Sequence, residues 1–452
     1  MRIELPENTA KLITLLEAAG FCAFVVGGCV RDALLGRAPE DWDVCTNARP
    51  EQVIQALRGI PVLETGLQHG TVTAILDRKP FEITTFRLDG QYEDHRRPDS
   101  VIFTNDLTAD LARRDFTVNA IALGVRGQEA GVRNQESGLI DPFNGQSDLD
   151  DKIIRCVGEP RMRFEEDALR ILRALRFAST LGFAIEKNTA QALRELRGNL
   201  RFVARERVQA ELTKLLCGTG ARRILLEYRD IIFAVMPELR PMDGFDQRTP
   251  WHCHDIWGHT CAAVEAIPPE PHLRWAALLH DSGKPACFFY ENGSGHFHGH
   301  PAVSESIARQ ILSDLKCSRK LMEAVAPLIR NHELRILESC QPKRLKRLLG
   351  QFGEEVLLDL LELTKADITA QAPEKLYRLQ AYEPIKSEIM ALSAARACVT
   401  RGQLAVNGND LLRLGLRGPA LGRALDRLLE EVLEGRLENT RDSLLDYIQK
   451  IC

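Results

Sequence analysis

The sequence predicts an α+β protein: a head built on a mixed sheet, then helices for the rest of the chain. Three observations predict it. Short β-rich runs, "AFVV", "DVCT", "GTVTAIL" and "FEITTFRL", all fall before residue 90. From 143 onward β-like alternation fades and a helical period takes over. The stretch "PELRPMDGFDQRTP" (237–250), rich in Pro, Gly and charge, then breaks the helical part in two. At 452 residues the chain exceeds one ordinary core, so three or four units are expected.

Composition narrows the class without deciding it. No run approaches the ~20 apolar residues of a spanning helix, so no membrane partner is expected. The opening "MRIELPENTAKLITLLEAAG" carries acids and a helical period, unlike a signal peptide. Twelve cysteines are scattered with no C-x-x-C pair, which fits reduced thiols in a cytoplasmic protein. The net charge of -4 does not announce a nucleic-acid binder, but arginines crowd 155–207 and acids gather at 426–438. A local basic stripe can hold RNA on a globally neutral protein.

Residues 1–22 read as a helix with Leu12, Leu15 and Leu16 on its apolar face. An α/β region follows, to about 142. In "VVGGCVRDALLG" a strand runs into Gly27-Gly28 and then a helix. Glycine admits phosphate oxygens close to the backbone, and a helix start offers free N–H groups. The pattern is neither a P-loop nor a Rossmann fingerprint, and a plain tight turn is the alternative. Asp41 and Asp43, in "DWD", share one face if the segment is a strand. Two adjacent carboxylates call for a cation between them, and a few hard oxygens suit magnesium bridging to phosphates. The alternative is an exposed D-x-D on a turn. Glu82, in "FEITTFR", is a candidate third carboxylate or an edge-strand charge. Two-metal transfer needs one ion to activate the attacking oxygen and one to neutralise the leaving pyrophosphate.

"DALRILRALRFASTLG" is the clearest helix, closed by Gly182. It places Asp167 and Arg170 one turn apart on one face, with Glu166 four residues before Arg170. An ordinary surface pair explains the last two. The sharper reading is chemical. Cytosine and adenine both present an exocyclic amine beside a ring-nitrogen acceptor, which a carboxylate and a guanidinium match. Uracil and guanine present the opposite order and leave buried polar groups unpaired. Glu166 then holds Arg170 in place, and Arg173 and Arg176 extend the stripe toward triphosphate or RNA backbone.

These motifs, with "RRDFTVNAIA" (113–122) and "DPFNGQSDLD", follow one another in an order that resembles the class II tRNA nucleotidyltransferases. These are the CCA-adding enzymes of the polymerase-β-like superfamily, and the likeness covers the N-terminal half. The resemblance implies a polymerase-β-like nucleotidyltransferase head, with Asp41 and Asp43 holding magnesium and Gly27, Gly28 and Arg31 the triphosphate. It implies that Arg114, Asp115 and Asn119 meet nucleotide sugar and phosphates, and that Asp167 and Arg170 replace a template. Its partners would be tRNA, ATP and CTP; no obligate protein partner is inferred. Family enzymes that add only CC are similar but lack a flexible loop matching "RLDGQYEDHRRPDSVIF" (87–103), so its presence favours full CCA addition. Enzymes adding only A keep that loop. Poly(A) polymerases usually end in a more basic part than "NGNDLLRLGLRGPALGRALDRLLEEVLEG".

Nine of the eleven histidines lie between 252 and 332. "WHCHDIWGHT", "LLHDSGK", "HFHGH" and "RNHE" look like the pattern of HD metal-dependent phosphohydrolases. His280-Asp281 ends an apolar run, which points adjacent imidazole and carboxylate groups inward. The likeness implies one site on His259, His280, Asp281 and Asp367, and a second ion on His300 and His332, with a divalent transition metal as cofactor. Four parts are thus expected: a catalytic head (1–142), a base-reading helical neck (143–236), an HD-type body (237–370) and a tRNA-binding tail (371–452). Two other classes remain in view. A phosphohydrolase carrying a spent RNA-binding module is disfavoured by Asp41, Asp43, Asp167 and Arg170 occurring together. A pure RNA-binding protein is disfavoured by the charge and by the absence of RRM or KH signatures.

Overall fold

The computed structural model describes residues 3–89, 101–124, 138–249, 251, 253–338 and 341–451. Most of the loop expected at 87–103 (residues 90–100) lies outside them. The chain divides into two compact units, Met1–Pro237 and Glu238–Cys452. No described helix is long and apolar enough to cross a membrane.

The first unit opens with α1 (Glu7–Ala18), whose Leu12, Ile13 and Leu16 are buried, shorter at both ends than its periodicity suggested. There follow β1 (Ala23–Val26), α2 (Gly28–Leu34), β2 (Val44–Thr46), α3 (Pro50–Ala56), β3 (Val62–Gly66), β4 (Thr71–Leu76) and β5 (Lys79–Thr85). Then come β6 (Arg87–Asp89), β7 (Val101–Phe103), α4 (Leu107–Ala112), β8 (Ala122–Leu123) and β9 (Leu139–Ile140). Seven strands form one sheet in the order β3-β4-β5-β2-β1-β8-β9. β2 and β5 pair in parallel while β2 and β1 pair antiparallel, so the sheet is mixed as expected. Every residue of "AFVV" is buried, with Phe24 and Val26 in a core that also holds Phe86, Leu111 and Ala122. Such a strand reads as continuous apolar sequence because both its faces are covered.

Helices dominate the rest of this unit: α5 (Gly145–Asp150), α6 (Pro160–Glu166), α7 (Leu169–Leu181), α8 (Lys187–Leu196), α9 (Arg205–Leu216), α10 (Ala221–Glu227) and α11 (Arg229–Val235). A parallel pair, β10 (Ile153–Ile154) with β11 (Ala184–Ile185), interrupts them. Gly182 closes α7 in the left-handed region, φ 77°, where a side chain would be strained.

Two sequence expectations need correction. "DWD" is not inside a strand; it leads into β2, tied to the sheet by Val26 N donating to Asp43 O at 3.0 Å. Asp167 and Arg170 do not share one continuous helix. The chain breaks between α6 and α7 at Asp167 (φ -137°, ψ 103°), because its carboxylate caps the new helix by accepting from Leu169 N.

The second unit comprises α12 (Ile256–Ala266), α13 (Pro271–Leu279), α14 (Lys284–Cys287), a hairpin of β12 (Phe289–Glu291) and β13 (Ser294–His296), α15 (His300–Asp314) and α16 (Arg319–Asn331). It continues with α17 (Pro342–Thr369), broken at Gly353 where φ is 76°, then α18 (Tyr382–Ala394), α19 (Gly408–Arg413), α20 (Pro419–Leu433) and α21 (Arg441–Ile451). The last three pack around Leu411, Leu428, Leu444 and Ile448.

Candidate active site

A cavity of about 450 Å3 in the first unit is lined by Gly27, Gly28, Arg31, Asp41, Asp43, Arg113, Arg114, Asp115, Asn119, Asp167, Arg170, Arg173, Arg176, Phe177 and Arg207. The paired aspartates and the Asp167/Arg170 pair, 124 to 129 positions apart in sequence, therefore face one space. Seven arginines against four aspartates give this lining a net positive charge inside a protein of net charge -4. A polyanion fits it.

The glycine turn is built for close approach. Gly27 caps α2 at φ 87°, ψ -133°, and a Cβ there would stand 3.1 Å from Arg114 Nη1. One turn later Arg31 is buried; it donates to Asn119 Oδ1 at 2.7 Å and forks onto Asp32 at 2.9 Å. Asn119 Nδ2 donates in turn to Asp115 Oδ1 at 3.1 Å. Asp115 also accepts from Phe116 N and, at 2.7 Å, from Arg173 Nε. Burial raises the Asp115 pKa, but Arg173, Asn119 and Arg170 outweigh it and hold the carboxyl at about 2. Asp115 is thus saturated by protein donors and organises Arg173 and Asn119 rather than standing open. Arg114 keeps its Nε buried without a hydrogen bond, while its Nη2 reaches Asp110 at 3.3 Å.

Asp41 is exposed and Asp43 half-buried. Burial, then the charges of Asp41 and Glu82, push the Asp43 pKa up to about 6 against the opposing Arg114. Glu82 precedes Ile83, the residue that pairs with Val44, so the register sets it beside Asp43; it is exposed and does not line the cavity. Among the described residues these three carboxylates do not bring ligand oxygens within 4.8 Å of one another. Crowded like charge with few ligands suits a divalent ion that arrives with substrate phosphates.

Both groups expected to read the base are held by opposite charges. Arg170 donates from Nη1 to Glu166 Oε2 at 2.6 Å and from Nη2 to Arg113 O at 3.0 Å. Asp167 Oδ2 accepts from Arg207 Nη2 at 2.9 Å. Phe177 lies under three guanidiniums, those of Arg31, Arg173 and Arg176, the last 3.7 Å from its ring centre. Arg176 donates to Glu211 at 2.5 Å. Sequence reasoning missed Arg113, Phe177, Arg207 and Glu211. Phe177 stands four positions after Arg173 and so shares its face, which was a readable signal; Arg207 and Glu211 come from α9 and gave none.

The histidine cluster assembles in the second unit. His259 lies on α12, His280 and Asp281 follow α13, and Asp367 lies on α17; their ligand atoms all fall within 4.8 Å of one another. Asp281, His300 and His332 form a second such group, so Asp281 belongs to both. The Nδ1 atoms of His280, His300 and His332 stand 2.8, 2.9 and 2.7 Å from the carbonyls of Ala277, Phe297 and Ile329. A carbonyl facing Nδ1 suits a proton there and leaves Nε2 turned inward, the arrangement of metal-binding imidazoles; the Nε2 atoms of His300 and His332 stand 3.1 Å apart. His280 Nε2 is buried with no hydrogen-bond partner. Beside the cluster lies a cavity of about 400 Å3 whose lining includes Trp251, Lys284, Lys375 and Arg378. His272 stands apart, paired with Asp359.

Known proteins resemble this chain along its whole length. A family model described as the poly A polymerase head domain matches residues 23–155. Models described as an RNA and SrmB binding site of polymerase A and as tRNA nucleotidyltransferase domain 2 match 182–242 and 300–448. The CCA-adding enzyme of Leuconostoc mesenteroides is 33% identical over 445 residues, 96% of this chain and 93% of that protein. The crystal structure of the Bacillus stearothermophilus CCA-adding enzyme in complex with CTP superposes with a TM-score of 0.70 at 29% identity, covering 99% of this chain and 98% of that one. The Thermotoga maritima CCA-adding enzyme complexed with tRNA shares the fold, with a TM-score of 0.57 at 20% identity, over 99% of this chain and 97% of that one.

Proposed function

This chain belongs to the CCA-adding enzymes, a family of tRNA nucleotidyltransferases, and on that premise we propose how its residues divide the work. The reaction is addition of CCA to the 3′ end of tRNA from CTP and ATP. One observation carries our assignment: Asp41, Asp43, Asp167 and Arg170 line the same cavity. A single nucleotide then meets the aspartates with its triphosphate and the other pair with its base.

Divalent metal use goes with nucleotidyl transfer, and we assign the ion as magnesium held by Asp41 and Asp43, with Glu82 steepening the local field. Magnesium there supplies neutralisation of triphosphate charge and a more acidic attacking hydroxyl. Gly27 and Gly28 let backbone approach the phosphates, and Arg31, Arg114 and Asn119 line their path. Arg173 and Arg176, seated on Phe177, face the sugar and phosphates. Asp167 accepts from the exocyclic amine of cytosine or adenine while Arg170 donates to the adjacent ring nitrogen. The functional parts follow our four-part division: head to 142, neck to 236, metal-bearing body to 370, and a tail that grips the acceptor arm by shape and backbone. A cytoplasmic location accompanies a tRNA substrate.

Asp41→Ala tests the metal assignment. It should abolish incorporation into tRNA stripped of its 3′ end while gel-shift affinity for that tRNA stays within about threefold; retained incorporation would refute the assignment.

A second centre is favoured by the closeness of four ligand groups, with His280 Nε2 buried 3.3 Å from Asp281 Oδ2. We assign a divalent transition metal to His259, His280, Asp281 and Asp367, with His300 and His332 serving a second ion, in the manner of an HD phosphohydrolase. The Lys284, Lys375 and Arg378 side chains lining the adjacent cavity suit a phosphate group.

A further inference from the structure

What holds Asp167 in place is a question the helix break makes acute. The residue sits at φ -137°, ψ 103°, between two helices, so no helical backbone fixes its carboxylate. Two donors do. Leu169 N binds Oδ1 at 3.0 Å, and Arg207 Nη2 binds Oδ2 at 2.9 Å. Arg207 arrives from α9, lines the same cavity and keeps a third of its side chain exposed. Arg170 receives the reciprocal treatment from Glu166, with an acid 2.6 Å from Nη1. Each member of the base-reading pair is thus braced by a group of opposite charge.

We propose that Arg207 is a positioning residue for base selection: it fixes the plane of the Asp167 carboxylate so that an acceptor lone pair faces the nucleobase. This rests on the base-reading role assigned to Asp167. A carboxylate oxygen has two lone pairs, so Oδ2 accepts from Arg207 and from a base amine together, and the arginine stays in place when cytosine or adenine enters. An oxygen fixed in this way rejects the keto oxygens of uracil and guanine, because it cannot turn aside to relieve the contact. Without Arg207 the carboxylate has one remaining protein donor and swings. Discrimination then weakens.

The test compares kcat/KM for CTP and UTP on tRNA lacking its 3′ end, for the full-length wild-type protein, Arg207→Met, Arg207→Lys and Asp167→Asn. Arg207→Met should narrow the CTP-to-UTP ratio by about tenfold, the loss expected when one charge-assisted contact no longer acts, and Arg207→Lys should restore part of it. A purely structural or RNA-backbone role lowers both nucleotides in proportion and leaves the ratio unchanged, which overturns the proposal. If Asp167→Asn collapses the ratio and Arg207→Met does not, the proposal fails and the base-reading assignment stands. If neither moves it, both fail. Should Arg207→Met not fold, Arg207→Lys decides alone, a ratio equal to wild type at reduced kcat counting against the proposal.

Discussion

Replacing Asp167 by Asn keeps the number of heavy atoms and tests the proposed base-reading pair with little risk to the fold. Both carboxylate oxygens already accept from protein donors, Leu169 N on one side and Arg207 Nη2 on the other. An amide nitrogen put in either place meets a donor head-on, so the side chain loses a hydrogen bond as well as its charge. A hydrogen bond to a charged group contributes about 1.5–3 kcal/mol. Losing about 2 kcal/mol lowers kcat/KM for CTP and ATP roughly thirtyfold, at about 1.4 kcal/mol per factor of ten. The amide N–H can also donate to the O4 of uracil, and about 1 kcal/mol gained there raises UTP use roughly fivefold. The CTP-to-UTP ratio should therefore fall by roughly a hundredfold, read from single-nucleotide incorporation with each triphosphate in turn. A ratio within about threefold of wild type would show that Asp167 does not touch the base.

Two further outcomes follow from the site electrostatics and the histidine cluster. Asp43, with its pKa raised to about 6, holds its proton in the ion-free protein at pH values where an ordinary carboxylate has lost it. Proton and magnesium then compete, so affinity for the ion should weaken about tenfold per pH unit below 6 and level off above it. Titration calorimetry on wild type and Asp43→Asn checks this, the variant showing weak binding without that slope. His280→Ala should strip divalent transition metal from the second unit, measured by elemental analysis of the purified protein, and lower its thermal midpoint by several degrees, with CCA addition retained. Unchanged metal content would refute the ligand assignment.

How much of this was legible in the sequence depended on whether a feature is set locally. The glycine turn and the paired aspartates announce themselves through backbone freedom and like-charge repulsion, which need no tertiary context. Asp167 and Arg170 were singled out from the donor and acceptor order on a base edge, and the structure brings both to one cavity. Their local structure was not readable, because an i,i+3 spacing looks the same across a helix and across a break capped by the residue's own carboxylate. β3, β8 and β9 escaped notice because "VLETG" is polar and the other two strands have two residues each. Arg207 and Glu211 escaped because only the packing of α9 on α7 brings Arg207 to the cavity and Glu211 to Arg176. The histidines were legible by ligand type, but not the sharing of Asp281 between two groups, which only three-dimensional closure reveals.

The claim that one nucleotide spans the paired aspartates and the base-reading pair is open to direct observation. A crystal structure of the protein with CTP and manganese, the metal placed by anomalous scattering, should put manganese on Asp41 and Asp43 and the cytosine amine within about 3 Å of the Asp167 carboxylate. Manganese on those aspartates with the cytosine turned away from Asp167 and Arg170, or a triphosphate seated outside the cavity, would contradict it.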